Sequence, residues 1–211
     1  MAEGNLKILF RILEKKGFPR IYLRECGNDL SSFSQALGNA VDNNTYGPYV
    51  DKITPEELRK AGAHAFLSRD KMAGVVVFPD GNIRAVFKDK RSRNQNAIGE
   101  LMLTALSAGG NKLDCFDAPP LRWAYAMFGF IPVARVRFDW EYAPENWKKE
   151  FGEPDIIFWI HCGDPIETVA VSIADRARYH SCTKADIEKL PCFDSYEKAC
   201  RYRDDQQAGN P

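Results

Sequence analysis

The residues from Val75 to Phe130 constrain the fold more than any other part of the sequence, because short apolar runs alternate there with glycine-containing turns. Val75–Phe78 and Ile83–Phe87 are runs of β-branched and aromatic residues. Asp80-Gly81 lies between them and has the positive-φ chemistry of a tight hairpin turn. This segment therefore predicts an antiparallel β-hairpin.

The rest of the same stretch predicts a helix, a strand and a second helix. Apolar residues recur at helical spacing at Ile98, Leu101, Met102, Ala105 and Leu106. Gly109-Gly110 supplies a left-handed helix end, Leu113–Phe116 is a short buried strand, and Pro119-Pro120 opens a helix that stops at Gly129-Phe130. The β-β-α-β-α order predicts an α/β fold with a mixed sheet, since a crossover helix makes the next strand pair parallel.

A polar loop from Lys88 to Asn96 leads into the first of these helices. It carries Lys88, Lys90, Arg91 and Arg93, with Arg84 nearby. The first N–H groups of a helix lack intrahelical partners and lie at the positive end of its dipole, so this junction has the properties of a phosphate site. A basic loop before a helix is also a common solvated connection, and the residues alone leave both interpretations open.

The composition is that of one globular domain, with or without a smaller appendage. The chain has 211 residues, of which 45% are hydrophobic and 27% charged, and its formal net charge of zero argues against a protein that coats nucleic acid. No apolar run approaches the roughly twenty residues that cross a bilayer, so we expect a cytoplasmic protein. The six cysteines include no Cys-x-x-Cys pair, and the three histidines lack metal-ligand spacing. We therefore expect reduced structural thiols and no metal site.

Three segments are predicted along the chain. Residues 1–20 hold an N-terminal helix, residues 21–165 the α/β core, and residues 166–211 a helical C-terminal extension with a disordered end from Gln206. Inside the core, one helix is expected to start at Ser31 or Ser32, and Thr54 with Glu57 has the spacing of a capping box.

Two further segments of the core carry polar side chains of interest. The loop Asp42–Tyr49 is turn-rich, polar and aromatic, which suits either a substrate-side loop or a plain connection. Pro132–Trp140 alternates in character and predicts a strand with Arg135 and Arg137 on one face. These arginines could bind an anion or pair with Glu141 and Asp139, and the pairing is the interpretation that we favour.

The order of these elements, with Tyr125 four residues before Gly129-Phe130, resembles the GNAT superfamily of acyl-CoA-dependent N-acetyltransferases. The loop Arg93–Gly99 corresponds to the family's Arg/Gln-x-x-Gly-x-Gly/Ala sequence, and Gly99 matches that pattern directly. A second resemblance, over about residues 65–160, is to GNAT-like domains of phage and mobile-element (polyvalent) proteins. It is carried by Asp80-Gly81, Val86-Phe87, Gly109–Asp117, Gly129–Arg135, Glu141–Trp147 and Pro154-Asp155.

The resemblance implies a GNAT-type twisted mixed β-sheet flanked by helices, with acetyl-CoA as co-substrate. The pantetheine arm would lie along the strand that contains Val86 and Phe87, where the next strand splays away near the acyl group. The phosphates would lie at the loop and helix start, on Arg91, Arg93, Asn94, Asn96, Ala97 and Gly99.

The same resemblance implies that Tyr125 is the general acid for the departing thiolate, although a buried tyrosine is often only a core residue. Asp114 and Asp117 end the strand that splays. Either acts as a base or binds a cationic acceptor, or both cap the following helix. The expected function is acetyl transfer to an amine of a protein or small molecule. The alternative is a GNAT-shaped interaction module without catalytic activity.

Overall fold

The computed structural model describes residues 3–94, 96–144, 147–169 and 182–209, with the backbone alone for residues 3–6 and 142. Its named α-helices are α1 Glu3–Lys15, α2 Leu30–Asn43, α3 Pro55–Ala61, α4 Ile98–Ser107, α5 Pro119–Met127, α6 Lys184–Glu188 and α7 Tyr196–Ala208. Its strands are β1 Arg24–Glu25, β2 His64–Leu67, β3 Ala73–Val77, β4 Ile83–Lys88, β5 Lys112–Phe116, β6 Phe130–Val136, β7 Ile156–His161 and β8 Cys192–Phe193. Among the described helices, none has the length and apolar character needed to cross a membrane.

The strands form two four-stranded sheets, which confirms an α/β fold but corrects the prediction of one continuous sheet. The first sheet has the order β1-β2-β3-β4 and is antiparallel throughout. The second has the order β5-β7-β6-β8, in which only β6 and β8 are parallel. A single parallel bridge, Asn82 to Lys112, joins the described parts of the two sheets. The parallel direction predicted after the crossover helix is therefore present, but the pairing stops at one bridge.

A β-bulge in β4 accounts for this early separation. The hairpin turn predicted at Asp80-Gly81 is confirmed, with Gly81 at φ +83°. After the pairs Val77–Ile83 and Val76–Arg84, which follow the turn, the register between β3 and β4 shifts. Ala85, the next residue of β4, has a φ of +48°. A bulge bends its strand and increases the local twist. The remainder of β4 consequently turns away from β5.

Helices cover both faces of the sheets. Helices α1 and α4 contribute Leu13, Leu101 and Met102 to a core that contains Trp159 of β7. Helices α2 and α3 pack against the opposite face of the first sheet through Phe33, Leu37 and Leu58. Ala199 of α7 packs against Ala134 and Phe158 of the second sheet. All five residues of β3 are buried, since helices cover it on both sides.

The helix starts confirm some local predictions and correct others. The capping box at Thr54 and Glu57 is present. Helix α2 begins at Leu30 instead of at Ser31 or Ser32, because Asp29 is the N-cap and its carboxylate accepts from the Ser32 N–H. Neither Asp114 nor Asp117 caps α5, whose N-cap is Ala118. Asp114 and Asp117 instead form ion pairs, with Arg203 and Arg122 respectively.

A buried glutamate fastens the N-terminal segment to the first turn of α4. Glu100 is 2% exposed. Its carboxylate accepts from the backbone N–H groups of Ile21 at 2.7 Å, Leu23 at 3.0 Å and Tyr22 at 3.3 Å. Arg20 Nε donates to the same group at 3.0 Å. These bonds join residues about eighty positions apart and keep the segment before β1 against the helix.

The C-terminal helix is attached to the second sheet by ion pairs of two buried basic side chains. Lys112 of β5 lies 3.1 Å from both Asp80 of the hairpin turn and Asp204 of α7. Arg203, 3% exposed, lies 3.5 Å from Asp114 and over the ring of Phe158. Residues 206–208 continue the helix, so the disorder expected from Gln206 is wrong for them, and residues 210–211 lie outside the described part.

The strand predicted over Pro132–Trp140 is shorter, and its arginines have other partners. Strand β6 ends at Val136, with a register shift against β7 between Pro132 and Ala134. Arg135 donates to Asp155 at 2.5 Å, because that acid immediately precedes the neighbouring strand β7. The predicted pairing of Arg135 with Glu141 and Asp139 is therefore wrong.

Candidate functional site

The separation of β4 from β5 opens a cleft of about 1890 Å³ between the two sheets. Strand β4 forms one wall along its whole length, and the last three residues of β5 form the opposite wall. The start of α5, the strand β8 and one face of α7 also contribute, as do the segment from the end of α2 to Ile53 and residues between Val136 and Ile156. The cleft thus occupies the place where the two sheets have no backbone pairing.

The edge of β4 that faces the cleft carries the residues expected to hold a pantetheine arm. Ala85, Val86 and Phe87 all line the cleft. The Phe87 ring itself is buried against Phe33, with ring centroids 5.6 Å apart, so this residue offers the cleft mainly its backbone. An edge strand presents N–H and C=O groups that an extended ligand can pair with. The bulge at Ala85 interrupts the regular pairing in the middle of this edge.

Tyr125 of α5 is a largely buried residue in the lining of the cleft. The residue is 6% exposed, and its ring packs against Phe130 and Trp159 with centroid distances of 6.3 and 6.1 Å. It lines the cleft, and its hydroxyl forms no hydrogen bond with the described residues but is not among their fully buried polar atoms, so it is accessible from the cleft. Burial raises the pKa of Tyr125 well above its ordinary value, and the nearby Cys115 and Asp114 contribute to the rise. The side chain therefore stays neutral and remains a donor.

Asp114 also lines the cleft, but α7 provides it with partners. Its carboxylate accepts from the Tyr196 hydroxyl at 2.9 Å and lies 3.5 Å from Arg203. Burial raises the pKa of Asp114, and the hydrogen bond from Tyr196 opposes this rise. A carboxylate with a raised pKa is a stronger base than an exposed one. The sequence did not indicate either partner, because both lie more than eighty residues away.

Asp117 forms an ion pair with Arg122, five residues later in the sequence. Its Oδ1 lies 3.1 Å from Nε of Arg122, at an angle that does not make a hydrogen bond. Both side chains are largely buried, at 13% and 10% exposure. Burial raises the pKa of Asp117, and Arg122 opposes the rise. Asp117 lines the cleft, but its charge is already balanced.

The basic loop lies outside the cleft lining. None of its described residues from Arg91 to Gly99 contributes to the wall, although Lys88 does. Arg91 donates through its Nε and terminal nitrogen to the buried Asp89, at 3.0 and 2.7 Å. This pairing holds the pKa of Asp89 down at about 2. Asn96 donates to the Gly17 carbonyl at 2.9 Å. Most of the predicted phosphate contacts thus have structural partners.

Two features of this loop remain open to an anion. Arg93 is exposed, and the N-cap of α4, Ala97, has no side chain that accepts from the first-turn N–H groups. Asn94 lies between them, with its backbone N–H donated to Ser92 at 3.3 Å. The helix start therefore keeps the polarity that binds phosphate, while the surrounding side chains are largely occupied.

Gly99 is explained by packing. A Cβ at this position would lie 2.7 Å from Cδ1 of Phe18, which is buried under the first turn of α4. We expect Gly99→Ala to lower the free energy of unfolding by about 1–2 kcal/mol, because the ring of Phe18 must move out of its site. Urea denaturation measures this difference.

Gly38 of α2 provides the matched control. A Cβ there meets nothing within 4 Å, so Gly38→Ala should leave stability unchanged or raise it by about 0.5–1 kcal/mol through helix propensity. Wild-type stability in Gly99→Ala would contradict the packing explanation. It would favour the earlier interpretation, in which Gly99 belongs to a phosphate-binding loop.

The chain was compared with protein-family profiles, with curated protein sequences and with solved structures, and none of the three comparisons gives a match.

Proposed function

We propose that this chain has a GNAT-type fold, binds an acyl-CoA in the cleft between β4 and β5, and transfers the acyl group to an amine. The observation that carries the proposal is the position of Tyr125, a largely buried side chain whose hydroxyl has no partner among the described residues and is accessible from a cleft whose other wall is an open strand edge. A hydroxyl in this position is free to donate a hydrogen bond to a ligand that enters the cleft.

The shape of the cleft suits the pantetheine arm of coenzyme A. This arm is an extended chain with two amide groups, and amides pair with the backbone of an edge strand as another strand would. Strand β4 offers such an edge from Ala85 to Lys88. The divergence of β5 from β4 gives the arm room along this edge, as the resemblance of the sequence to the GNAT superfamily implies.

The proposed reaction uses two groups of the cleft. The nitrogen of the amine attacks the thioester carbonyl carbon, so that a C–N bond forms and the C–S bond breaks. Tyr125 donates a hydrogen bond to the departing thiolate, whose charge develops in the transition state. Asp114 accepts a proton from the attacking nitrogen, and this proton is then passed to the thiolate, so that the group leaves as the CoA thiol and Asp114 is again ionised. The products are an amide, the CoA thiol and one proton released from the protonated amine.

A thermal-shift titration with acetyl-CoA tests this proposal. A ligand that binds only the folded chain at about 100 times its Kd stabilises it by about 2.7 kcal/mol. For a chain of this size, that corresponds to an increase of roughly 5–10 °C in the unfolding midpoint. Adenosine 3′,5′-diphosphate should give a smaller shift, because it lacks the pantetheine arm that pairs with β4.

Two variants separate specific binding from general effects of charge. Arg93→Ala removes the exposed arginine at the phosphate end and should weaken acetyl-CoA binding about three- to tenfold. Arg69→Ala removes another exposed arginine that does not line the cleft, and should leave acetyl-CoA binding unchanged. The absence of any shift at 1 mM acetyl-CoA would refute the enzyme proposal.

The second candidate is a GNAT-shaped interaction module without activity. It is favoured by the basic loop, in which Arg91 is paired with Asp89 and Gly99 packs on Phe18. A chain that shows no acetyl-CoA shift and yet unfolds cooperatively would support this candidate over the enzyme.

A further inference from the structure

Charge is unevenly distributed over the molecule. Nine acidic and four basic side chains line the described part of the cleft, whereas the whole chain has a formal net charge of zero. The residues outside this lining therefore carry five more basic than acidic side chains. A protein without net charge still attracts a polyanion wherever its basic side chains are concentrated on one surface.

Two segments that meet on the surface outside the cleft are strongly basic. Residues 7–24 and 89–100 together contain nine basic and three acidic side chains. None of their described residues lines the cleft. The Asn96 side chain donates to the Gly17 carbonyl at 2.9 Å, so the segments meet where α1 ends and α4 begins. We refer to the surface formed by these two segments as the basic face.

Two of the three acids of the basic face are buried in ion pairs. Asp89 and Glu100 are each 2% exposed, and their carboxylates accept from neighbouring arginines. Glu14 is the third acid and is exposed. At the border of the basic face, Glu25 lies 2.6 Å from His64. These acids leave most of the basic side chains without a matching negative charge.

The part of the basic face between α1 and β1 is held in one conformation. Residues 16–24, which we call the connecting segment, bury the side chains of Phe18 and Ile21. The same segment exposes Lys16, Tyr22 and Arg24. Three of its consecutive N–H groups bond to the buried carboxylate of α4 described above. The exposed side chains are therefore presented on a fixed backbone.

Tyr22 is an exposed aromatic residue in the middle of these cations. It is 55% exposed, and its φ of +55° is one that residues with a side chain rarely adopt. The guanidinium carbon of Arg20 lies 5.2 Å from the centre of the Tyr22 ring and 4.2 Å from that of Phe10. A strained backbone conformation and a neighbouring cation thus hold an aromatic ring in water.

A single-stranded nucleic acid has the chemistry that fits cations beside an exposed ring. Its phosphates pair with basic side chains, and its unpaired bases stack on aromatic rings. An acidic peptide would use the charges alone, because a carboxylate has no face that stacks on Tyr22. A membrane surface would require an apolar helix face, but Leu9, Phe10 and Leu13 of α1 are buried in the core. Among the described side chains of this helix, Ile8 is the one large apolar residue that is exposed.

We infer that the basic face binds a single-stranded nucleic acid, with phosphates on Lys16 and Arg24 and a base stacked on Tyr22. This site is separate from the cleft, so it does not depend on acyl transfer. Its test does not use Arg93, whose proposed ligand is acetyl-CoA. DNA and RNA share the chemistry of phosphate and unpaired base, and the probes below distinguish them.

Fluorescence anisotropy on the full chain tests the inference with three labelled twelve-nucleotide probes. They are a deoxyuridine strand, a uridine strand and an abasic deoxyribose strand, which has the same phosphates without bases. We expect the deoxyuridine strand to bind at least about fivefold more tightly than the abasic strand, because stacking of a base adds to the phosphate contacts. Equal binding of these two strands would overturn the inference, since any polyanion would then suffice.

The salt dependence checks the contribution of the phosphates. If about three or four phosphates are neutralised, raising the salt concentration from 50 to 200 mM should weaken binding roughly 20- to 50-fold. Affinity that does not change with salt would overturn the inference.

Two tyrosine variants locate the stacked base. Tyr22→Ala should bring the affinity for the deoxyuridine strand down to that for the abasic strand, and should leave the abasic affinity unchanged, which also reports that the variant is folded. Tyr22→Phe retains the ring and should retain the affinity. Tyr46→Ala is the matched control, because it removes a tyrosine that is 63% exposed and lines the cleft. Wild-type affinity for the deoxyuridine strand in Tyr22→Ala would overturn the inference.

An arginine variant locates a phosphate. Arg24→Ala should weaken binding of all three strands by the same factor, about three- to tenfold, because it removes a contact that carries no base preference. Arg59→Ala removes an exposed arginine of α3, which packs on the opposite face of the first sheet, and should bind as the wild type does. Equal affinities in these two variants would overturn the inference.

The uridine strand and a vesicle assay separate the sources of phosphate. Tighter binding of uridine than of deoxyuridine assigns the ligand to RNA through its 2′-hydroxyl, and the reverse assigns it to DNA. Vesicles of phosphatidylserine and phosphatidylcholine test a membrane surface by sedimentation. A chain that sediments with these vesicles and binds none of the base-containing strands would overturn the inference in favour of a membrane.

Discussion

Replacing Glu100 by glutamine is expected to lower the free energy of unfolding by about 3 kcal/mol, which corresponds to roughly 6–12 °C in the unfolding midpoint. The buried carboxylate accepts three backbone N–H groups and the side chain of Arg20. The glutamine amide would have only one acceptor oxygen. Its NH₂ group would face N–H donors that now bond to the second carboxylate oxygen of Glu100. At least one buried N–H would lose its partner, and the remaining bonds would lose their charge-assisted strength.

Glu14→Gln is the matched control, because Glu14 is exposed on α1 and its replacement should change stability by less than about 0.5 kcal/mol. Hydrogen exchange supplies a local readout that a general loss of stability would not give. The amides of Ile21, Tyr22 and Leu23 should lose protection in Glu100→Gln more than those of β3. Unchanged protection at these three amides would show that Glu100 does not hold the segment.

Tyr125→Phe is expected to slow acetyl transfer about 100-fold while the acetyl-CoA thermal shift stays the same. Removal of one donor to a developing charge typically costs roughly two to three powers of ten in rate. The ring, which packs against Phe130 and Trp159, is retained, so binding should not change. Transfer is measured by mass spectrometry of the acylated amine under saturating acetyl-CoA.

The stability of this variant provides an independent check. Because the Tyr125 hydroxyl has no partner among the described residues, its removal should leave the unfolding midpoint unchanged or slightly higher. Tyr196→Phe is the comparison, since that hydroxyl donates to Asp114 at 2.9 Å and its loss should cost about 1 kcal/mol. An unchanged transfer rate in Tyr125→Phe would remove the residue from the reaction.

Local sequence patterns predicted the features that depend on a few neighbouring residues. The hairpin turn at Asp80-Gly81, the capping box at Thr54 and the left-handed end of α4 at Gly109 each need only residues within one turn. The predicted start of α2 missed Asp29 by two or three residues, because serine and aspartate are nearly equivalent caps. Local chemistry alone therefore did not distinguish Asp29 from Ser31 or Ser32 as the N-cap of α2.

The parts that the sequence did not predict depend on distant partners. Glu100 contacts residues about eighty positions earlier, and Arg203 reaches back to Asp114. The loop Asp42–Tyr49 has an aromatic character that suited a substrate-side loop or a connection. Only its packing against Phe116 and Phe151 shows that its rings join a larger cluster. No periodicity within one segment reports such contacts.

The way the two sheets are joined has a mechanical consequence. At one end of the cleft they share backbone hydrogen bonding at Asn82 and Lys112, reinforced by the ion pairs of Lys112. At the other end, contact between the two sides passes through aromatic side chains such as Tyr49 and Phe116. The two ends of the cleft therefore differ in what holds them: separating the rings at the Tyr49 end would break side-chain packing alone, whereas separating the sheets at Lys112 would break backbone hydrogen bonds and ion pairs.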